Sequence, residues 1–237
     1  MGMKMPRTRA IQLGPIPTGL EWLERRIAED RQRILEEPFF AYLDQATTAQ
    51  DFQWARHLLH HSQEFPRILA YRRDQNENPA MKDFFQEHVQ VEAGHAEMLT
   101  GWLAEQGLVP SGEPAAIAIP TPATTACIAQ AWRTAVTSDN SGTVVSLNAA
   151  LEAASFDFFN HASPKLDSLG IGHEYWRIHV EADPFHSADG LALLKPVEES
   201  SEEGVHFALL ARETLQFWGA MLNSWAGVDQ WPDLPPA

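Results

Sequence analysis

The chain has 237 residues, of which 44% are hydrophobic and 21% are charged, values typical of a globular protein with a hydrophobic core. Acidic residues outnumber basic ones by 32 to 17. The resulting formal charge of −15 disfavours nucleic acid and anionic membranes as partners, because both attract basic surfaces. No run of about 18 apolar residues is present, so no membrane-spanning helix is expected. The single cysteine, Cys127, allows no internal disulfide, and a cytoplasmic location is the expectation.

Helical periodicity runs through most of the chain, and no segment alternates cleanly enough to predict a strand. The predicted helices cover about 18–37, 48–75, 80–106, 124–136, 143–161, 173–194 and 201–222. Residues 108–122 contain four prolines and predict a connecting loop. We therefore predict an all-α, single-domain bundle of about seven helices over residues 1–237, with residues 1–17 and 228–237 as extended tails.

Polar residues interrupt the apolar face of the predicted helix over 80–106. That face, whose members are spaced alternately by four and three positions, comprises Met81, Phe85, His88, Glu92, His95, Leu99 and Trp102. Its ends are apolar, whereas its middle reads His, Glu, His. Burying ionisable groups costs several kcal/mol unless they pair with one another or bind a metal ion. The pattern therefore indicates a polar site inside the bundle.

The predicted helix over 173–194 repeats the pattern. His179, Asp183 and His186 share one face and are flanked there by the apolar residues Trp176 and Leu193. A His-x-x-x-acid-x-x-His pattern on a core face is rare by chance, and here it accompanies the polar middle of the earlier helix. The two helices together indicate a common buried site.

Glu152 is the one charged residue on the face of a third predicted helix, where its neighbours are valine, alanine and phenylalanine. A lone carboxylate in such surroundings is unfavourable unless it meets a cation. The candidate metal ligands on the three helices are Glu92, His95, Glu152, His179, Asp183 and His186, with His88 as a seventh candidate. Carboxylates and imidazoles without thiolates favour a dinuclear iron or manganese site over zinc or iron–sulfur sites. The alternative is that histidine–carboxylate pairs satisfy one another across the helices without metal.

Several other polar residues are not expected to belong to the metal site. His57, His61 and Glu64 lie opposite the apolar stripe of their helix, and we expect them to face solvent. Cys127 is expected to be a small core residue, since no base is placed beside it.

The motifs resemble the haem-oxygenase-like diiron oxidases and oxygenases, which belong to the TENA/PQQC-like superfamily of seven-helix bundles. The matching motifs lie between about residues 80 and 194 and are Glu92-x-x-His95, the isolated Glu152, and His179-x-x-x-Asp183-x-x-His186. The resemblance implies two non-haem iron ions, with manganese as an alternative metal, that activate O₂. It also implies a small organic substrate, an external electron donor and a homodimer.

Members of this family differ in which early glutamate completes the first iron site. The carboxylate that completes the first iron site lies either in the acid-x-x-His motif or about two turns before the histidine. Here Glu92 is the preferred residue, and Glu87 and Glu64 are the alternatives. His88 occupies the position two turns before His95. Because six other ligands supply enough donors, we expect His88 to support Glu92 or the substrate rather than to bind metal.

The expected function is oxidation of a small organic substrate by N-oxygenation, desaturation, hydroxylation or C–C cleavage. Glu152 and His88 are the predicted catalytic residues. The expected pocket is dry and lined by residues such as Phe156, Phe159, Trp102 and Trp176. Two rival functions remain: a metal-free TENA/PQQC-like enzyme that uses acid–base chemistry in the same pocket, and a non-enzymatic metal-binding bundle.

Overall fold

The structure is a computed structural model that describes residues 19–109, 119–232 and 234, with only the backbone described for 182–189. The described residues form α-helices joined by short connections and contain no strand, as the sequence predicts. The helices are α1 (Glu21–Ile34), α2 (Pro38–Gln45), α3 (Ala55–Gln75), α4 (Pro79–Glu92), α5 (His95–Glu105), α6 (Pro122–Thr137), α7 (Asn140–Thr143), α8 (Ala153–Ser168), α9 (Glu174–Ala192) and α10 (Glu202–Trp225). A 3₁₀ turn (Ala49–Phe52) precedes α3, and a π-helical segment (Val144–Glu152) joins α7 to α8. None of the described helices is long and apolar enough to cross a membrane.

Several helix ends follow directly from capping side chains. Ser201 accepts a hydrogen bond from the backbone N–H of Gly204 and begins α10, where the sequence places the start of the last helix. Thr48 and Asp51 form a reciprocal capping box at the 3₁₀ turn before α3. These local signals explain why the bounds of the helices could largely be predicted.

The single helix predicted over 80–106 is wrong. Two helices are present, because the chain bends sharply between Glu92, the last residue of α4, and His95, the first residue of α5. Gly94 stands at the bend with a φ of +95°, a left-handed conformation that glycine adopts without the cost other residues meet. We call residues 93–94 the elbow.

The π-helical segment is buried along its whole length and packs against α9 and α10. A π-helix holds more residues per turn than an α-helix, so it shifts which side chains face the core after it. In α8, which follows it, Phe158 and Phe159 are buried, whereas Phe156 is only partly buried. Such segments occur often at functional sites.

Aromatic side chains fill the core beside the site. Trp54 stacks on Trp225 with ring centres 5.5 Å apart, and Phe158 packs edge-on against both rings. Phe159 contacts Phe158 at 4.9 Å and extends the aromatic cluster towards α9. Aromatic pairs in these geometries add to the stabilisation from burial itself. The cluster gives the site a rigid apolar wall.

The sequence predicts extended tails at both ends of the chain. The expected N-terminal tail, residues 1–17, lies outside the described residues. The described part of the C-terminal tail is not helical, and Pro232 packs closely on Gly219 of α10. A Cβ at Gly219 would lie 2.4 Å from Cγ of Pro232, so this contact requires glycine.

Candidate metal centre

Five ionisable side chains converge in the interior of the bundle. They come from α4, α5, the end of the π-helical segment and α9, and they are His88, Glu92, His95, Glu152 and His179. Each is buried, with an exposed fraction between 2% and 7%. Ionisable groups are almost never this buried unless they are paired or bind a cation.

Glu92 occupies the middle of the cluster. Its Oε2 atom lies 2.9 Å from Nδ1 of His95, and its Oε1 atom lies 3.9 Å from Nε2 of His88. Nε2 of His88 also lies 2.8 Å from Oε1 of Glu152. The five residues thereby form two groups with donor atoms close enough to share an ion: Glu92 with His95 and His179, and His88 with Glu92 and Glu152. Glu92 belongs to both groups.

The electrostatics favour an ionised Glu92. Burial opposes its ionisation, but the neighbouring imidazoles of His95, His179 and His88 more than offset this effect and lower the pKa of Glu92 well below its ordinary value. Burial and the neighbouring His95 lower the pKa of His179 to about 4, although Glu92 acts in the opposite direction. A neutral imidazole and an ionised carboxylate are the forms that bind metal ions.

The orientation of His179 leaves one ring nitrogen for a ligand. Its Nδ1 atom lies 2.7 Å from the backbone carbonyl oxygen of Tyr175, which can only accept a hydrogen bond. The Nδ1 atom therefore carries the proton, and the lone pair resides on Nε2. Phe159 stacks on the ring, with centroids 4.0 Å apart, and fixes its plane.

His88 is held in a comparable way by Asn148 of the π-helical segment. Nδ2 of Asn148 lies 3.1 Å from Nδ1 of His88, while the buried Oδ1 atom of Asn148 has no hydrogen-bond partner among the described residues. With Nδ2 in this position the amide donates to Nδ1, so the proton of His88 lies on Nε2, 2.8 Å from Oε1 of Glu152. If the amide oxygen and nitrogen of Asn148 are exchanged, Oδ1 instead accepts a hydrogen bond from Nδ1–H. The lone pair of His88 Nε2 then faces the two carboxylates, as a metal ligand requires. The donor set therefore fits a metal ion.

A small cavity adjoins the cluster. Its volume is about 20 Å³, enough for a water-sized molecule, and its walls include Glu92, Glu152, His179, Phe159 and Trp218. Of the four aromatic residues that the sequence placed in the pocket, Phe159 lines this cavity. Trp102 and Trp176 belong to the aromatic core instead, and Phe156 is partly buried and does not line this cavity.

His61 also lines the cavity, and the prediction that His57, His61 and Glu64 face solvent is wrong, because all three are partly buried. The His61 ring stacks on Phe65 and meets Trp218 edge-on, both at 5.4 Å between centroids. Burial lowers its pKa to about 4. The available signal was spacing: His61 lies between Leu58 and Phe65, three and four positions away, and so shares their face of α3.

The remaining candidate ligands lie apart from the cluster or outside the description. Glu64 pairs with Arg67 and accepts a hydrogen bond from Trp132, and Glu87 is exposed, so neither belongs to the two groups. Asp183 and His186 lie in α9, but their side chains are outside the described residues. Their assignment as ligands stays a prediction. Cys127 is buried, as expected.

Comparisons with solved structures define the fold class. A TenA homologue from Pseudomonas syringae pv. tomato superposes with a TM-score of 0.73 at 13% identity, covering 96% of this chain and 99% of that one. A domain of unknown function with a haem-oxygenase-like fold, from Shewanella denitrificans, gives 0.69 at 20% identity over 88% and 92% of the two chains. A TenA homologue from P. horikoshii gives 0.68 at 18% identity over 88% and 98%. The protein therefore has the haem-oxygenase-like, TenA-like fold.

The sequence family is also defined. Residues 52–219 match the family described as "iron-containing redox enzyme", and the chain belongs to this family. No curated protein sequence matches the chain significantly. The matched residues include all five side chains of the buried cluster.

Proposed function

We propose that this protein is a non-haem diiron oxidase or oxygenase that uses O₂ to oxidise a small organic substrate. The observation that carries the proposal is the position of Glu92, whose two oxygen atoms face different imidazoles and which belongs to both groups of donors. A carboxylate in this position is placed to bridge two metal ions, as carboxylates do in helical-bundle dinuclear sites. Membership of the iron-containing redox enzyme family supports iron as the metal.

In this proposal Glu92, His95 and His179 hold the first ion. His88, Glu92 and Glu152 would hold the second, and Asp183 and His186 stay ligands predicted from the sequence. The sequence favoured a supporting role for His88, but its Nε2 atom faces both carboxylates and its Nδ1 atom is held by Asn148, which favours a ligand role. When bound, iron would supply the redox chemistry with O₂, and manganese suits the same donors.

The protein supplies geometry and exclusion of water. Phe159 and Trp218 keep the cavity wall apolar, and Tyr175 fixes the proton of His179 at Nδ1. The hydroxyl groups of Tyr175 and Ser62 bond to each other at 2.9 Å and close the wall beside the cluster. The proposed reaction is one of N-oxygenation, desaturation, hydroxylation or C–C cleavage, with an external electron donor, and a homodimer is the proposed assembly.

A metal-free enzyme that uses acid–base chemistry is the second candidate. The contacts of His88 with Glu152, at 2.8 Å, and of His95 with Glu92, at 2.9 Å, favour it, because these pairs satisfy one another without an ion. The sharing of Glu92 between two imidazoles favours the metal proposal instead, since a bridging ligand needs this arrangement.

Oxygen uptake tests the proposed function. Ferrous-loaded protein with a chemical reductant should consume O₂, and Glu152→Ala should abolish this consumption while its helical circular dichroism stays unchanged. Glu181→Ala is the matched control, because Glu181 is exposed on α9 and should retain activity. Folded protein that binds no iron and consumes no O₂ would favour the metal-free candidate, because acid–base chemistry needs neither. Iron binding without O₂ uptake would favour a non-enzymatic metal-binding bundle.

A further inference from the structure

A cleft separates α3 from the elbow and from α5. Its volume is about 530 Å³, far larger than the buried cavity, and exposed residues such as Gly94 and Glu97 form its mouth. Gln63 and Arg67 line the α3 side, and Thr100 lines the α5 side. The cleft therefore offers polar side chains on both walls.

The cleft and the buried cavity meet at two residues. Ser62 and Glu92 line both spaces, so the wall between the cleft and the candidate centre is a single layer of side chains. Ser62 is held there by its hydrogen bond to the Tyr175 hydroxyl group. Glu92 presents its carboxylate from the end of α4, directly before the elbow.

We propose that this cleft is the entrance through which divalent metal ions reach the centre, with Glu92 receiving the ion at the inner end. This inference rests on the proposed function, since it supposes that the buried cluster binds metal. Glu92 lines the cleft and belongs to both groups of donors, so the same residue lies at the inner end of the entrance and in the centre.

The charges along the route suit a cation. Glu97 adds a carboxylate at the mouth, and Gln63 offers an amide oxygen. Arg67, the cationic residue in the lining of the cleft, is paired with Glu64 at 2.5 Å, which reduces its repulsion of an incoming ion. The formal charge of −15 raises the local concentration of cations around the whole chain.

The test closes the cleft after the protein has folded. Thr100→Cys is labelled with a bulky maleimide, and Gly101→Cys is the matched control, because Gly101 is the next residue on α5 and is exposed with no atom near its Cβ position. The native Cys127 thiol is buried, and burial raises its pKa to about 12, so it should resist labelling. If Thr100→Cys does not fold, Gln63→Cys places the label on the opposite wall.

The measurement is the association rate of Co²⁺ followed by stopped-flow absorbance, with the bound stoichiometry determined at equilibrium. The label at position 100 should slow association by about tenfold or more without changing the stoichiometry, whereas the label at position 101 should change neither quantity. Equal association rates for both labelled proteins would overturn the entrance. If the unlabelled protein binds two Co²⁺ ions at a rate that no label changes, the proposed entrance is contradicted but the proposed metal site is not. If it binds none, the proposed function fails with it.

Discussion

Glu92 and His95 lie 2.9 Å apart, between Oε2 and Nδ1, although they belong to different helices. Residues three positions apart face each other on a continuous helix, and the contact is kept across the elbow between α4 and α5. The other oxygen of Glu92 is thereby left to face His88, one turn earlier in α4. One carboxylate consequently connects the two halves of the candidate centre.

Replacing Glu92 should affect both metal positions. Glu92→Gln keeps the size of the side chain but removes the charge and one acceptor oxygen, so we expect the number of ferrous ions bound anaerobically to fall from two to one or none. The measurement is equilibrium dialysis followed by metal analysis. Glu87→Gln is the control, since Glu87 is exposed on the same helix and should leave two ions bound. Loss of metal from the control alone would transfer the bridging role to Glu87.

The Asn148 side chain should affect the affinity for the second metal ion, because it contacts the ligand candidate His88. Asn148→Leu removes the group that holds Nδ1 of His88, and the affinity for the second ion should fall by about 10–100-fold, while the first ion stays bound. His88→Ala should lose the second ion outright. Isothermal titration under nitrogen resolves the two affinities. Retention of both ions by His88→Ala, with slower turnover, would instead support the orienting role that the sequence suggested.

The close contact between Gly190 of α9 and Asn148 should make the second metal position sensitive to a substitution at Gly190. A Cβ added at Gly190 of α9 would lie 2.7 Å from Cβ of Asn148 and 3.1 Å from Val144. Gly190→Ala should therefore lower the free energy of unfolding by about 1–3 kcal/mol, as overpacking does, and weaken the second ion.

Gly101→Ala is the control for this change. It adds the same methyl group at an exposed helical position with open space around it, and it should be neutral or stabilise by about 0.5–1 kcal/mol. Urea unfolding measures both variants. A Gly190→Ala protein as stable as the wild type would show that α9 shifts freely against the π-helical segment.

The metal-free protein should lose stability in mild acid. The pKa of His179 is about 4 in the folded state, against 6.5 ordinarily, so the unfolded chain binds a proton that the folded chain does not between these values. Its contribution is complete above about pH 6.5 and decreases, by at most about 1.4 kcal/mol per pH unit, as the pH falls towards 4.

Urea unfolding between pH 5 and 6.5 checks this dependence. His179→Gln should reduce the slope of the unfolding free energy against pH, and His61, whose pKa is also about 4, should supply the slope that remains. His206→Gln should leave the slope unchanged, because His206 is exposed on α10. An unchanged slope in His179→Gln would contradict the assigned cause.

Much of the fold could be predicted, because the hydrophobic periodicity and the capping residues of helices are visible in the sequence. Ser201 and the prolines of the connecting loop mark boundaries in the sequence itself. The elbow could not be predicted from Gly94 alone, since a glycine is tolerated inside a helix at a modest cost. The π-helical segment could not be predicted from a pattern that assumes 3.6 residues per turn, and the expectation that Phe156 lines the cavity was wrong.

The site could be predicted where a charge breaks an apolar face. Glu92, His95, Glu152 and His179 were found in this way, because a buried charge contradicts its surroundings in the sequence. His61 was missed, although its spacing from Leu58 and Phe65 places it on their buried face of α3. Contacts such as Asn148 with His88 depend on tertiary packing, and periodicity carries no information about them.

The most direct test of the shared carboxylate is an anaerobic ferrous titration of the purified protein, read by metal analysis and by Mössbauer spectroscopy of ⁵⁷Fe. The account predicts saturation at two iron ions per chain and a magnetically coupled pair, because Glu92 lies between both positions. Saturation at one ion or none by folded protein, or two ions without coupling, would contradict it.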